Sequence, residues 1–433
     1  MTKIVLIGAG SYAFGTATFR DLMAWREQLR GSTITLVDVN QEYLTLMTNF
    51  FHKLNEMTGN PYIIESTTDR TQALPGADFV FISIAVNRNE RWKLDWNVPF
   101  KYGVKHVLGE NGGPGGLFHA MRNIPIVLDI VHDVEKLAPN AFVINFTNPE
   151  GRICQAINRY SKVKFVGLCH GIDSLRRVAG YALDLPPEKI DVKAGGLNHF
   201  SWVRDLRHMD TGEDLYPAFR KAVHERQAYI EEQMHHTMKL SVYLMDTFGL
   251  YPLPSDNHVG EYISYAWELA GMEGHPFDLV DRESDEFRAD IRLWTSGEKP
   301  MPEWMFEPSG ERAVAIVDGI LHNTHQYEIS VNIPNKGYIP NLPDDAIVEV
   351  PAVIDATGVH GVSLDPLPEP IAAMCRTQIN IIDRVVEAGV HGDKQAALQA
   401  LLLDPVISSV SQAQGILDEL LEAHKDFLPQ FKK

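Results

Sequence analysis

The sequence predicts an α/β protein, with an N-terminal Rossmann-type doubly wound parallel sheet and a closely packed, mixed α+β C-terminal domain. Three observations predict it. A glycine turn, GAGSYA, follows the β-branched run KIVLI, and short apolar runs then alternate with helical stretches as far as residue 195. Beyond residue 196 the pattern changes to longer helical stretches with one extended, turn-rich interruption. The chain is therefore divided into a Rossmann-like unit, 1–195, and a C-terminal unit, 196–433. No Ser/Gly linker separates them, which predicts tight packing and a site in the crevice beyond the carboxyl ends of the strands.

The elements follow in order. Residues 3–7 form a strand that stops at Gly8-Ala9-Gly10-Ser11-Tyr12-Ala13, after which Thr16 to Leu29 reads as a helix. A second apolar run, Ile34 to Val37, ends at Asp38. Strand, glycine turn, helix, strand and acidic end form the signature of a dinucleotide-binding βαβ unit. The glycines let the main chain approach a pyrophosphate, the helix start supplies N–H groups, and Asp38 receives the ribose hydroxyls. A carboxylate there repels a 2′-phosphate, so NAD is expected rather than NADP. Gly8, Gly10, Ser11, Tyr12, Ala13 and Asp38 are the expected cofactor contacts, although Asp38 lies further along the chain than the usual ~20 residues. Further buried strands are expected at Phe79–Ile84, Phe142–Phe146 and Phe165–Leu168. In the second half, helices are expected over Leu215–Thr247, Glu311–Asn323, Pro370–Ala388 and Asp393–Leu403, with extended strands and turns over Glu328–Val350.

Composition narrows the function classes. Hydrophobic residues make up 45% and charged residues 22% of the 433, values of a folded globular chain. The 39 basic and 57 acidic residues give a net charge of −18, which opposes binding to nucleic acid or to anionic membrane surfaces. No apolar run approaches the ~18 residues of a membrane span, and the opening residues lack a signal-peptide pattern. Three cysteines without a CxxC pair suit a reducing compartment, so the expected location is cytoplasmic.

Three loops should converge on the crevice: Asn145 to Pro149, Gly167 to Ile172 and Gly195 to Phe200. Asn148 can donate and accept hydrogen bonds to a polyol. Cys169 and His199, a soft thiolate and an imidazole from separate loops, make a plausible catalytic divalent-metal pair with positions open to substrate and water. Cys154 and Cys375 read as packing residues, and His235-His236 as solvated positions on a charged helix.

The motifs GAGSYAFG (8–15), GENGGPGG (109–116), NFTNPEG (145–151), GLCHGI (167–172), GGLNHF (195–200), SDNHVGEY (255–262) and VNIPNKGYIPNLPDDAIVEVP (331–351) together resemble glycoside hydrolase family 4. This family is the NAD-dependent exception to two-carboxylate glycoside hydrolysis. The resemblance implies hydride removal from the sugar C3 by NAD and polarisation of the forming ketone by a divalent ion, usually Mn²⁺. Deprotonation at C2, expulsion of the C1 aglycone, addition of water and return of the hydride follow. It assigns Cys169 and His199 to the metal and Asn148 to the sugar hydroxyls. His170 occupies the position assigned as acid where it is Asp. Asp256 is the expected base, with His258 and Tyr251 behind it.

The residues after the metal cysteine also bear on the substrate. CHGI departs from the pattern of family members acting on 6-phosphosugars, and the CHG form resembles α-glucuronidases. A non-phosphorylated α-glycoside is therefore expected, a glucuronide first, with α-glucosidase, α-galactosidase or α-galacturonidase activity as alternatives. The small Gly171 leaves room for a group on C5, and Arg88, Arg91, Lys93 or Arg122 would pair with an anion; Arg91, Arg122 and His119 are taken as candidate sugar contacts beside Asn148. An NAD-dependent sugar or hydroxy-acid dehydrogenase is the second reading, and a non-catalytic NAD-binding sensor the third. The resemblance further implies a homodimer or homotetramer.

Overall fold

The computed structural model describes residues 1–169 and 171–432. Strands β1 (Lys3–Ile7), β2 (Thr33–Val37), β3 (Ile63–Thr67), β4 (Phe79–Ile82), β5 (Phe142–Asn145) and β6 (Lys164–Gly167) lie in the spatial order β3-β2-β1-β4-β5-β6 and pair in parallel. This is the doubly wound order of a dinucleotide-binding sheet, reversing at β1 and β4. Strands β1, β4 and β5 are buried almost throughout, as a sheet covered by helices on both faces requires. Of these six strands, β3 alone escaped the sequence reading; its IIEST side chains are mostly exposed at the sheet edge.

The second half extends the same sheet. Strands β7 (Ile190–Leu197) and β8 (Phe200–His208) form an antiparallel hairpin, joined at the far edge by the short β9 (Pro252–Leu253). Strands β10 (Gln326–Pro334) and β11 (Ile347–Asp355) form a second hairpin, and β12 (Gly358–Gly361) pairs with β11. The path runs on from β6 through β10, β11, β7 and β8 to β9, so strands of both halves share one sheet. Among the described residues no helix is long and apolar enough to cross a membrane.

Helices differ from the sequence reading chiefly at their ends. The first begins earlier, at Tyr12–Ala24, because the Ser11 hydroxyl accepts the Phe14 N–H at 3.2 Å and caps it. The stretch expected as one helix over Leu215–Thr247 is three, Tyr216–Glu225, Gln227–Met234 and Lys239–Phe248. The break falls at His235, which caps the middle helix with φ of 55°, so the histidine pair lies at a helix end rather than along a helix.

Candidate active site

The glycine turn meets the geometric demands of a dinucleotide. Gly8 has φ of 91°, and a Cβ there would lie 1.9 Å from the Ser83 carbonyl oxygen. A Cβ on Gly10 would lie 2.7 Å from Asp38 Oδ2, which accepts the Gly10 N–H at 2.9 Å. Asp38 thus stands at the end of β2 against the turn, while Ala13 lies exposed in the first turn of the helix. The Tyr12 hydroxyl accepts from Ser284 Oγ at 2.7 Å, and the Arg288 guanidinium packs over the rings of Tyr12 and Tyr43. Both partners come from the helix Phe277–Ser296, more than 270 positions from Tyr12 in the case of Ser284. No local pattern could have revealed them.

The expected metal pair comes together. Cys169 follows the end of β6, and His199 forms the turn between β7 and β8 with φ of 60°. Their Sγ and Nε2 atoms stand 3.4 Å apart. A tetrahedral ion bonded to one thiolate and one imidazole spreads those atoms to about 3.5 Å. Among the described residues no third His, Cys, Asp or Glu completes a cluster of three, which suits a site that leaves positions for substrate and water. The half-buried Asn148 follows β5, with its backbone carbonyl held by Asn123 Nδ2 at 2.8 Å. His258 stacks edge-on against His199, ring centroids 4.4 Å apart, and its Nδ1 lies 2.7 Å from Asn257 Oδ1 and 3.0 Å from Ser255 Oγ. His170 lies outside the described residues.

Buried carboxylates that the sequence reading did not single out surround this pair. Glu349 on β11 accepts from Asn198 Nδ2 at 3.1 Å and from Ser201 Oγ at 3.0 Å, bracing the His199 turn on both sides. Burial pushes the Glu110 carboxyl up, but Arg88 at 2.7 Å and the nearby His119 outweigh it and hold it at about 2. Glu261, pushed up by burial to about 7, accepts the main-chain N–H groups of Glu110 and Asn111, the latter at 2.9 Å. Glu150 is pushed up by burial to about 8 and accepts from Cys154 Sγ at 2.9 Å. The GENGG and VEVP motifs carried Glu110 and Glu349, but the contacts span 148 to 151 positions of chain for Glu349 and Glu261.

Several expected site residues have other work. Asp256 is 1% exposed, and its carboxylate accepts the Leu240 and Ser241 N–H groups at 2.8 Å each and the Ser241 hydroxyl at 2.6 Å. Those bonds cap the start of the helix Lys239–Phe248 rather than present a base to the crevice. Tyr251 is buried against Phe219, and burial pushes its phenol far up. Arg122 is buried in an ion pair with Asp95, Nη1 to Oδ1 at 3.1 Å, and Asp95 also meets His424 at 2.7 Å. This three-residue network has no cation to spare for a sugar. Arg91 packs over Phe427 and reaches the Ala423 carbonyl at 3.5 Å. Arg88 is spent on Glu110 and Lys93 on Asp278 and Asp281. His119 places Nδ1 3.0 Å from the Glu110 carbonyl, and burial pulls its imidazole down to about 4, so it is neutral near pH 7. A Cβ on Gly171 would lie 2.9 Å from Pro254 Cβ and 3.7 Å from Cys169 Sγ, so Pro254 takes up the space that the glycine leaves.

Comparison with known proteins bears on what this arrangement is. Two family models match the chain, "Family 4 glycosyl hydrolase" over residues 3–179 and "Family 4 glycosyl hydrolase C-terminal domain" over 194–407. The chain is 37% identical to an alpha-glucosidase of Erwinia rhapontici and 31% identical to an alpha-galactosidase of Bacillus subtilis (strain 168), each over the full length of both proteins. Its fold superposes with a TM-score of 0.88 on a 6-phospho-alpha-glucosidase from gut microorganisms solved with NAD and Mn²⁺, at 20% identity and with both chains fully covered. A doubly wound sheet that sets a cysteine and a histidine side by side, matched end to end by relatives of one activity class, makes this chain a glycosidase that belongs to family 4 of the glycosyl hydrolases.

Proposed function

We propose that the protein is an NAD- and divalent-metal-dependent α-glycosidase acting on a non-phosphorylated sugar, with Mn²⁺ as the expected metal. The 3.4 Å approach of Cys169 Sγ to His199 Nε2 carries this reading. The glycine cradle and Asp38 suit NAD, and the thiolate and imidazole suit a divalent transition metal. When bound, NAD supplies a hydride acceptor for the sugar C3 and the metal an electrophile for the C3 oxygen.

The protein's own residues do the rest. Asn148 orients the sugar hydroxyls by donating and accepting hydrogen bonds. His258, against the His199 ring and oriented by Ser255 and Asn257, is the proposed base for the C2 proton. Asp256 holds the turn that carries it. His170, next to Cys169 in the chain, is the proposed acid for the leaving oxygen.

For the sugar, the CHG sequence supports a glucuronide, and the 37% identity to an alpha-glucosidase favours a glucoside as the second reading. A panel of p-nitrophenyl α-glycosides assayed with NAD, Mn²⁺ and thiol tests both. Cleavage of the glucuronide or glucoside should require all three additions, with solvent deuterium entering C2 of the product. Cleavage that persists without NAD would sink the mechanism.

A further inference from the structure

We infer that a cavity behind the metal pair binds one compact monovalent anion, held by the buried guanidinium of Arg152. The cavity, about 20 Å³, is lined by Asn111, Arg152, Asn198, Tyr262, Gln378 and Ile382 among others. That volume exceeds the roughly 10–15 Å³ needed for one water-sized ligand. Its walls are unusually short of partners. Arg152 is 2% exposed, and neither Nη1 nor Nη2 has a hydrogen-bond partner among the described residues. The same holds for both amide atoms of Asn111 and for Gln378 Oε1.

Charge decides what such a site takes. An arginine does not shed its proton, so its burial is costly until a negative charge meets it. The carboxylates nearest in electrostatic terms bond main-chain groups: Asp404 accepts the Val406 N–H at 3.2 Å, and Oε1 of Glu261 accepts those of Glu110 and Asn111, while Glu261 Oε2 has no hydrogen-bond partner among the described residues. Among the described residues neither forms an ion pair with Arg152. A Cβ on Gly116 would lie 3.1 Å from Arg152 Nη1, so the guanidinium rests against the first turn of the 25-residue helix Gly113–Leu137. Gly112 supplies no side-chain cap there, and Asp404 accepts the Gly113 N–H instead, so that carboxylate answers the helix end while Nη1 and Nη2 of Arg152 are left without a hydrogen-bond partner among the described residues. A water answers the hydrogen-bonding need alone; an anion answers that and the charge. The Asn111 and Gln378 amides rotate to donate to it.

Two sources share this chemistry. A chloride ion matches the volume. The carboxylate of an acidic sugar matches the position, since Pro149 and Asn198 in the cavity wall adjoin Asn148 and His199. The second source rests on the glucuronide reading; the anion site does not.

The test uses the protein loaded with NAD and Mn²⁺ in sodium methanesulfonate, whose anion is too large for the cavity. Replacing it stepwise by sodium bromide at constant ionic strength should raise Tm along a saturable curve. Crystals grown in bromide should show an anomalous peak in contact with the Arg152 guanidinium. Arg152→Met should abolish the curve; should that variant not fold, Arg152→Lys should move its midpoint at least tenfold upward. Glucuronate, but not glucose, removes the bromide peak if the sugar is the source, and neither does if the ion is free. No saturable bromide dependence and no peak would overturn the proposal, whatever the glycoside panel shows.

Discussion

Cys169 and His199 were readable from the sequence because each stands in a short loop of distinctive composition, and thiol and imidazole at two strand ends admit few chemistries. Replacing Cys169 by Ser should weaken Mn²⁺ binding, followed by electron paramagnetic resonance, by more than the ~10–100-fold typical of losing a supporting residue, with NAD affinity unchanged. Glu349, which braces His199 from both sides, was not readable as such, since a glutamate in a strand motif does not announce a partner 150 positions away. The same is true of Glu150, whose burial sets a pH dependence of stability. Its carboxyl is raised from 4.5 to about 8 in the folded state. The unfolded chain therefore ionises first, and the stabilisation present below pH 4.5 is lost as pH rises towards 8. The shift corresponds to on the order of 5 kcal/mol. In metal-free protein, Glu150→Gln should lose much less stability between pH 5 and 8.5 than the parent, as measured by urea denaturation. Equal losses would show that Glu150 does not set the dependence.

At the scale of elements, periodicity located the helices but not their interruptions. Leu215–Thr247 reads as one apolar-periodic stretch, yet the chain turns at His235, and the Glu231 carboxylate accepts the Met238 N–H at 3.0 Å just before the next helix begins. Asp256, 15 and 16 residues from its main-chain partners, then caps that helix. A cap supplied from so far away leaves no local signature, and the same carboxylate in the motif SDNH read as a base. Two variants separate these roles. Asp256→Asn, which keeps one acceptor oxygen, should lower stability by about 1–2 kcal/mol while folded protein still exchanges the sugar C2 proton with solvent. His258→Gln should leave Tm within a few degrees and slow that exchange at least ~100-fold, the contribution of a positioned base. If Asp256→Asn stops exchange in fully folded protein and His258→Gln does not, the assignments are reversed.

At the scale of the whole molecule, the sequence separates a strand-helix alternation from a helix-rich second half, and that contrast suggests two bodies meeting at a crevice. What it does not show is that β10 adds antiparallel to β6 through the single register pair Asn332 and Gly167, turning the two halves into one sheet. Antiparallel joining of strands more than 160 residues apart depends on tertiary packing, and the VNIP run is compatible with several neighbours. The packing follows the sheet: one apolar core holds Ile4, Leu6 and Phe81 of the first half with Val331, Val348 and Ile371 of the second. Removing residues 196–433 would strip β6 of its neighbour and expose that core, leaving an open strand edge prone to aggregation. The full chain should therefore unfold in one transition, with calorimetric and van't Hoff enthalpies in a ratio near one for each folded unit. Residues 1–195 expressed alone should be insoluble or lack a cooperative transition. Two resolved transitions in the full chain, with NAD shifting only one of them, would show instead that the halves are thermodynamically separate despite the shared sheet.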